Sequence, residues 1–145
     1  RGRSREEQRV RMHVSFVAPV LALLLAACVT TGVEQCPDGG KHAVGETLYF
    51  GTAMPGGAVS PGQWESFVAA EITPRFPNGL TSWRAKGQWL SETGELQHEE
   101  SYVVYIAHAD TPEAEKAIRA IIERYRTEFH QEAVLRVRSS VCMSL

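Results

Sequence analysis

From Glu46 onward the apolar positions change period along the chain, and each change marks an element. Glu46-Thr47-Leu48-Tyr49-Phe50-Gly51-Thr52-Ala53-Met54 is rich in β-formers and too short for a helix, so it predicts a first strand, broken by Pro55-Gly56-Gly57. Ser60-Pro61-Gly62-Gln63 predicts a helix start: Ser60 can cap, Pro61 suits the first helical position, and Ser-x-x-Gln is a capping box. Trp64, Phe67, Val68 and Ile72 make one apolar face, and Pro74 is expected to end the helix because it disfavours helical geometry at Thr73. Thr73 to Leu80, with two prolines and Asn78-Gly79, reads as a stiff connection. Thr81 to Leu90 follows as a strand with Trp83, Ala85, Gly87 and Trp89 in alternate positions, and Ser91-Glu92-Thr93-Gly94 as its hairpin connection. Tyr102 to Ala107 is apolar nearly throughout, as a central strand would be. Thr111-Pro112 opens a second helix whose Ala114, Ile118, Ile121, Ile122, Tyr125 and Phe129 share a face, with Glu115–Arg119 and Arg124–Glu128 as i,i+4 pairs. Ala133 to Arg138 is the last strand.

The order β-α-β-β-α-β, with the right-handed crossover rule, predicts an α+β fold: a ferredoxin-like sandwich of an antiparallel sheet with two helices on one face. In that topology the first and last strands lie side by side and run in opposite directions. Cys36, before the first strand, then comes near Cys142, after the last.

Ahead of this domain the pattern is different. Arg9 and Arg11 flank an apolar run, Val14 to Ala27, which has the length of a signal-peptide core and is short for a membrane span of roughly 20 residues. Leu25-Ala26-Ala27-Cys28 looks like a bacterial lipobox, in which a peptidase cuts before the cysteine and the thiol is alkylated with lipid. The division expected is therefore an export signal over 1–27, a tether over 28–45 rich in turn formers, and one domain over 46–145. Arg1 to Arg11 reads either as sequence upstream of a start at Met12 or as a long basic leader.

Charge changes the picture for the exported part. The chain carries 15 Lys+Arg against 17 Asp+Glu; without the five Arg and two Glu before Met12, 10 face 15, a net charge near −5. Nucleic acid is thereby disfavoured as a partner, and membrane attachment rests on lipid at Cys28 rather than on a basic patch. If Cys28 is lipidated, Cys36 and Cys142 remain, and an even pair in an oxidising compartment reads as a disulfide; two free thiols are the alternative.

The candidate chemistry is sparse. His42, His98, His108 and His130 are scattered without metal-ligand spacing, so no metal and no cofactor are expected. There is no G-x-S-x-G and no phosphate loop. Arg75, held between Pro74 and Phe76-Pro77, could present its guanidinium to a carboxylate or phosphate, with Gln88 and Trp89 as neighbours; a structural pairing with Glu71 is the favoured competing account. Tyr49, Trp83, Tyr102 and Tyr105 read as core packing, with an aromatic pocket as the alternative.

Leu48-Tyr49-Phe50-Gly51, Thr73-Pro74-Arg75-Phe76-Pro77-Asn78-Gly79-Leu80-Thr81, Gly87-Gln88-Trp89, and Val134-Leu135-Arg136-Val137 with Cys142 together resemble the bacterial domain-of-unknown-function family 3574. The resemblance covers roughly Glu46 to Leu145 and implies a small exported domain, often a lipoprotein, with no assigned reaction. The expectation is a periplasm-facing lipoprotein, at the outer membrane because Val29 rather than Asp follows Cys28. Its role would be that of a binding or accessory module for a protein or small anionic ligand. The alternative is a small enzyme with a pocket at a homodimer formed through the sheets, a reading by fold analogy.

Overall fold

The computed structural model describes residues 36–91 and 93–144; the expected export signal, Cys28 and residues 29–35 of the expected tether lie outside the described residues. A 3-10 turn at Pro37–Gly39 leads into β1 (Lys41–Gly51). A small two-stranded hairpin follows, β2 (Ala53–Met54) with β3 (Gly57–Ala58). Then come α1 (Pro61–Phe67), continued by a π turn at Val68–Ile72, β4 (Thr81–Leu90), β5 (Leu96–His108), α2 (Pro112–Phe129) and β6 (Leu135–Met143). The four long strands form an antiparallel sheet in the order β4-β5-β1-β6, the arrangement expected of a ferredoxin-like sandwich.

Several boundaries differ from the expectation: β5 starts at Leu96 rather than Tyr102, and β6 runs on past Arg138 to Met143, so that Cys142 lies within the last strand rather than after it. The first strand begins at Lys41, inside the expected tether, and Ala43 and Val44 are buried, so the folded unit reaches back to Cys36. Thr47 to Gly51 alternates cleanly, but the glycines and prolines around it hid the extension. The strand also ends at Gly51, because Thr52 turns the chain: its N–H and hydroxyl both donate to the Glu100 carbonyl, at 3.0 and 2.8 Å.

The local signals explain the helices. Gln63 N–H donates to Ser60 Oγ at 3.3 Å and Ser60 N–H to Gln63 Oε1 at 3.0 Å, a complete capping box. The expected α-helix up to Pro74 instead widens after Phe67, where Thr73 N–H reaches back to the Val68 carbonyl. Five α-helical residues would rotate Ile72 about 140° away from Phe67; a wider turn returns it to the same side. Both residues are buried in the core. In α2, Thr111 Oγ1 accepts from Ala114 N–H at 3.2 Å, and Ile118, Ile121, Tyr125 and Phe129 are buried.

The core lies between the helices and one face of the sheet, built from Leu48, Phe50, Tyr102, Val104 and Ile106 against Trp64, Phe67, Ile118, Ile121, Tyr125 and Phe129. Trp64 stacks on Tyr102, ring centroids 4.5 Å apart, and Tyr125 meets Phe50 edge-on at 4.7 Å. Tyr125 Oη donates to the Gly51 carbonyl at 2.8 Å, which satisfies the one polar group at the ring's buried end. Cys36 and Cys142 form a disulfide, their Cα atoms 5.4 Å apart, across the β1–β6 seam as the topology predicts.

Candidate functional site

Period-two alternation in β1 turns Val44, Glu46, Leu48 and Phe50 toward the helices. Glu46 is thus a carboxylate at a core-facing position, and it is fully buried. Such a charge is tolerated only with partners. On β6 the same alternation aims Arg136 and Arg138 to that side, opposite Leu48 and Glu46 respectively. Arg136 holds Glu46 with two nitrogens, Nε at 2.8 Å and one terminal nitrogen at 2.5 Å. The other edge of the same guanidinium holds Glu115 of α2, at 3.0 and 2.6 Å. Arg136 therefore bridges a buried strand carboxylate to a helix carboxylate.

The network continues outward. Arg119, one turn further along α2, donates to Glu115 at 2.6 Å. Arg138 donates to Asp110, just before α2, and its Nε stands 3.5 Å from Glu46 Oε1. On the inner side His108 Nε2 lies 3.8 Å from Glu46 Oε1, buried, with no hydrogen-bond partner among the described residues. Phe76 covers the His108 ring, centroids 5.4 Å apart.

These charges shape one another. The hydrogen bond from Arg136, seconded by that from Arg119, holds the Glu115 carboxyl down at about 2. Arg136 is driven further into its charged form, first by Glu46 and then by Glu115, against the opposing effect of burial. Asp110, Thr111, Pro112, Glu115, Arg119, Arg136 and Arg138 line an open cleft of about 520 Å³ between the start of α2 and β6. Three guanidinium groups and three carboxylates, counting Glu46 behind it, balance. Of the cleft's own groups, Asp110 and Arg119 are the most exposed and Arg138 is half-exposed.

The residues singled out from sequence fall elsewhere. Arg75 lies partly exposed after the π turn and donates to the Glu71 carbonyl at 2.5 Å and its carboxylate at 2.8 Å. Arg124 of α2 approaches the same Glu71 at 3.5 Å. The stiffness of the Pro74–Pro77 connection sets Phe76 into the core beside His108, while Arg75 points outward. Gln88 and Trp89 are consecutive on the edge strand β4, opposite His98 and Gln97, so they project to opposite faces and do not form one site. Tyr102 is core, whereas Tyr49, Trp83 and Tyr105 are partly exposed on the face away from the helices, so no single aromatic pocket unites the four. His42, opposite Cys142, comes within 4.8 Å of both disulfide sulfurs, a grouping no sequence spacing revealed; both sulfurs are committed to each other.

The cleft itself was missed. Its sequence signal is a pair of arginines at alternate positions in a strand, Leu135-Arg136-Val137-Arg138, and a glutamate at a core-facing position of another.

Residues 45–145 match the model of the family described as protein of unknown function, DUF3574. The chain belongs to that family. No curated protein matches it. Among solved structures, a phage SAM lyase in complex with S-methyl-5'-thioadenosine is similar, with a TM-score of 0.55 at 12% identity over 71% of this chain and 90% of that one. A phage SAM lyase in the apo state gives 0.53 at 16% identity, over 71% and 86%. At these identities the likeness is one of fold.

Proposed function

We propose that the protein is an exported, lipid-anchored envelope module that binds a small polar ligand in the cleft between α2 and β6. The observation carrying this is the Glu46–Arg136–Glu115 bridge, which runs from a buried carboxylate to the partly exposed wall of the cleft. A buried ion pair adds little stability over apolar residues of the same size, so its use here is to fix Glu115 and, through it, Arg119 in place. An anionic group of the ligand would lie between Arg119 and Arg138, and a cationic or hydrogen-donating group would face Asp110. Export is supported by the signal-like stretch ending at Cys28 and by the Cys36–Cys142 disulfide, a bond typical of oxidising compartments. Lipid at Cys28 would tether the domain, with the outer membrane favoured by Val29.

The test is nuclear magnetic resonance mapping with free amino acids, dicarboxylates and phosphate monoesters as probes. Shifts confined to the cleft, weakened at least tenfold in Arg119→Ala with only a small fall in melting temperature, since Arg119 is largely exposed, are expected. No cleft response from any class refutes the site. For the anchor, Cys28→Ser should abolish labelling by a radioactive fatty acid; equal labelling refutes it.

A second reading, a small enzyme, draws on the buried Glu46 carboxylate beside His108 Nε2, which has no hydrogen-bond partner among the described residues, and on the lyase activity named for the fold neighbours. Incubation with SAM, followed by chromatography for S-methyl-5'-thioadenosine, separates it from pure binding.

A further inference from the structure

The sheet has helices on one face. The other face is formed by the odd-numbered residues of β1, β4, β5 and β6. One cross-sheet row there reads Trp83–Val103–Tyr49–Leu135, and the next reads Thr81–Tyr105–Thr47–Val137. Val103 is fully buried although it belongs to no part of the helix-side core, because its neighbours Tyr49 and Trp83 close over it. Those neighbours, with Tyr105, Leu135 and Val137, remain between 36% and 61% exposed. Adjacent large apolar side chains on one flat face exceed the scattered exposure that folded proteins ordinarily carry.

We infer that this face is covered by the same face of a second copy, in a two-fold dimer with the cleft left outside. The row Ala107–Gly45–Ser139 on one side is also without charge, and on the other side the patch ends at Gly51, which the Glu99 carboxylate covers while accepting from Ala53 N–H at 2.9 Å. A two-fold axis lays each patch on itself, so an uncharged centre is what lets identical surfaces meet without like charges opposing one another. Size agrees. Four strands about 4.8 Å apart and about nine residues long at 3.4 Å each span roughly 600 Å² in projection. Two copies then bury over about 1,000 Å², enough for a specific interface, before side-chain relief is counted. A membrane surface is the poorer occupant: the mature part carries an acidic excess and the face presents no basic rim to anionic lipid. Trp83, the largest exposed apolar side chain in these two rows, is the residue on which such an interface would most depend.

Sedimentation velocity of the full chain in density-matched detergent tests the dimer. A mass of two chains is expected, unchanged by 0.5 M salt because the contact is apolar. Trp83→Glu and Val137→Lys should each weaken association at least about 30-fold while circular dichroism stays native, and Arg119→Ala should leave it intact. A monomeric wild type, or dimers that survive both substitutions, overturns the inference. So does quenching of Trp83 by brominated lipid in a monomer, which assigns the face to the membrane. Cleft binding by the monomeric variants is unaffected, so the two proposals fail separately.

Discussion

Glu46 and Arg136, diagonal neighbours across the β1–β6 seam, share two hydrogen bonds, and Glu46 has no exposure to solvent. Their energetics are asymmetric. Arg136→Met strands a buried carboxylate whose nearest remaining guanidinium, that of Arg138, stands at 3.5 Å. Loss of one partner of a buried pair costs about 3–5 kcal/mol, so a large fall in urea midpoint is expected. The double change Glu46→Leu with Arg136→Met removes both charges and should recover most of that loss, because well-packed apolar replacements of buried pairs are near neutral. The double variant should still weaken cleft binding, since Glu115 then keeps Arg119 but loses its tie to the sheet through Arg136. Equal stability of the single and double variants would contradict this account.

Glu115 gives the pH dependence. Its folded pKa, about 2, lies below the ordinary 4.5 because Arg136 and Arg119 bond its charged form. A depressed acid stabilises the fold above its unfolded pKa, and that contribution disappears as pH falls toward the folded value. The wild type should therefore lose melting temperature between about pH 4.5 and 2 more steeply than Glu115→Gln, the two curves converging at the acid end. Parallel curves would show that the bridge to Arg136 is absent in solution.

The elements were legible because each carried a local signal that tertiary packing did not oppose. Thr81–Leu90 and the Thr111-Pro112 helix start emerged where expected, from alternation and from a cap followed by proline. The π turn was not legible, since its cause is the joint burial of Phe67 and Ile72 rather than any residue preference. The start of β1 was hidden by the turn-forming residues that precede Lys41. The cleft failed to appear for a similar reason: Glu46, Glu115 and Arg136 are distant in sequence, and only the β1–β6 register and the packing of α2 bring them together. Stiffness around Arg75 was visible, but it serves Phe76.

The Cys36–Cys142 disulfide closes a separation of 106 residues. In the chain-entropy model a loop of that size contributes about 4–5 kcal/mol by restricting the unfolded chain. Replacing both cysteines by serine should lower the melting temperature markedly while the native circular dichroism spectrum is retained at 20 °C. Mass spectrometry of the unreduced wild type should find the linked peptide pair. Complete alkylation without reductant would refute the bridge.

Arg75 and Arg138 are the two arginines whose roles can be exchanged by experiment. Arg75 is partly exposed and tied to Glu71, one turn back, in a contact of the kind worth about 0.3–1 kcal/mol at a surface. One terminal nitrogen of Arg75 makes both contacts; Arg75→Lys keeps the charge but carries its ammonium on a shorter stem, so a small loss of stability is expected regardless of any probe. Arg138 is half-exposed, borders the cleft, and is oriented by Asp110. Arg138→Met should weaken the binding of any cleft probe by tenfold or more, whereas Arg75→Lys should leave probe affinity unchanged. Paired titrations of the two variants decide between the sites. Lost affinity in Arg75→Lys with normal affinity in Arg138→Met would move the binding site to the Pro74–Pro77 connection, where the guanidinium would have to leave Glu71 to meet its ligand.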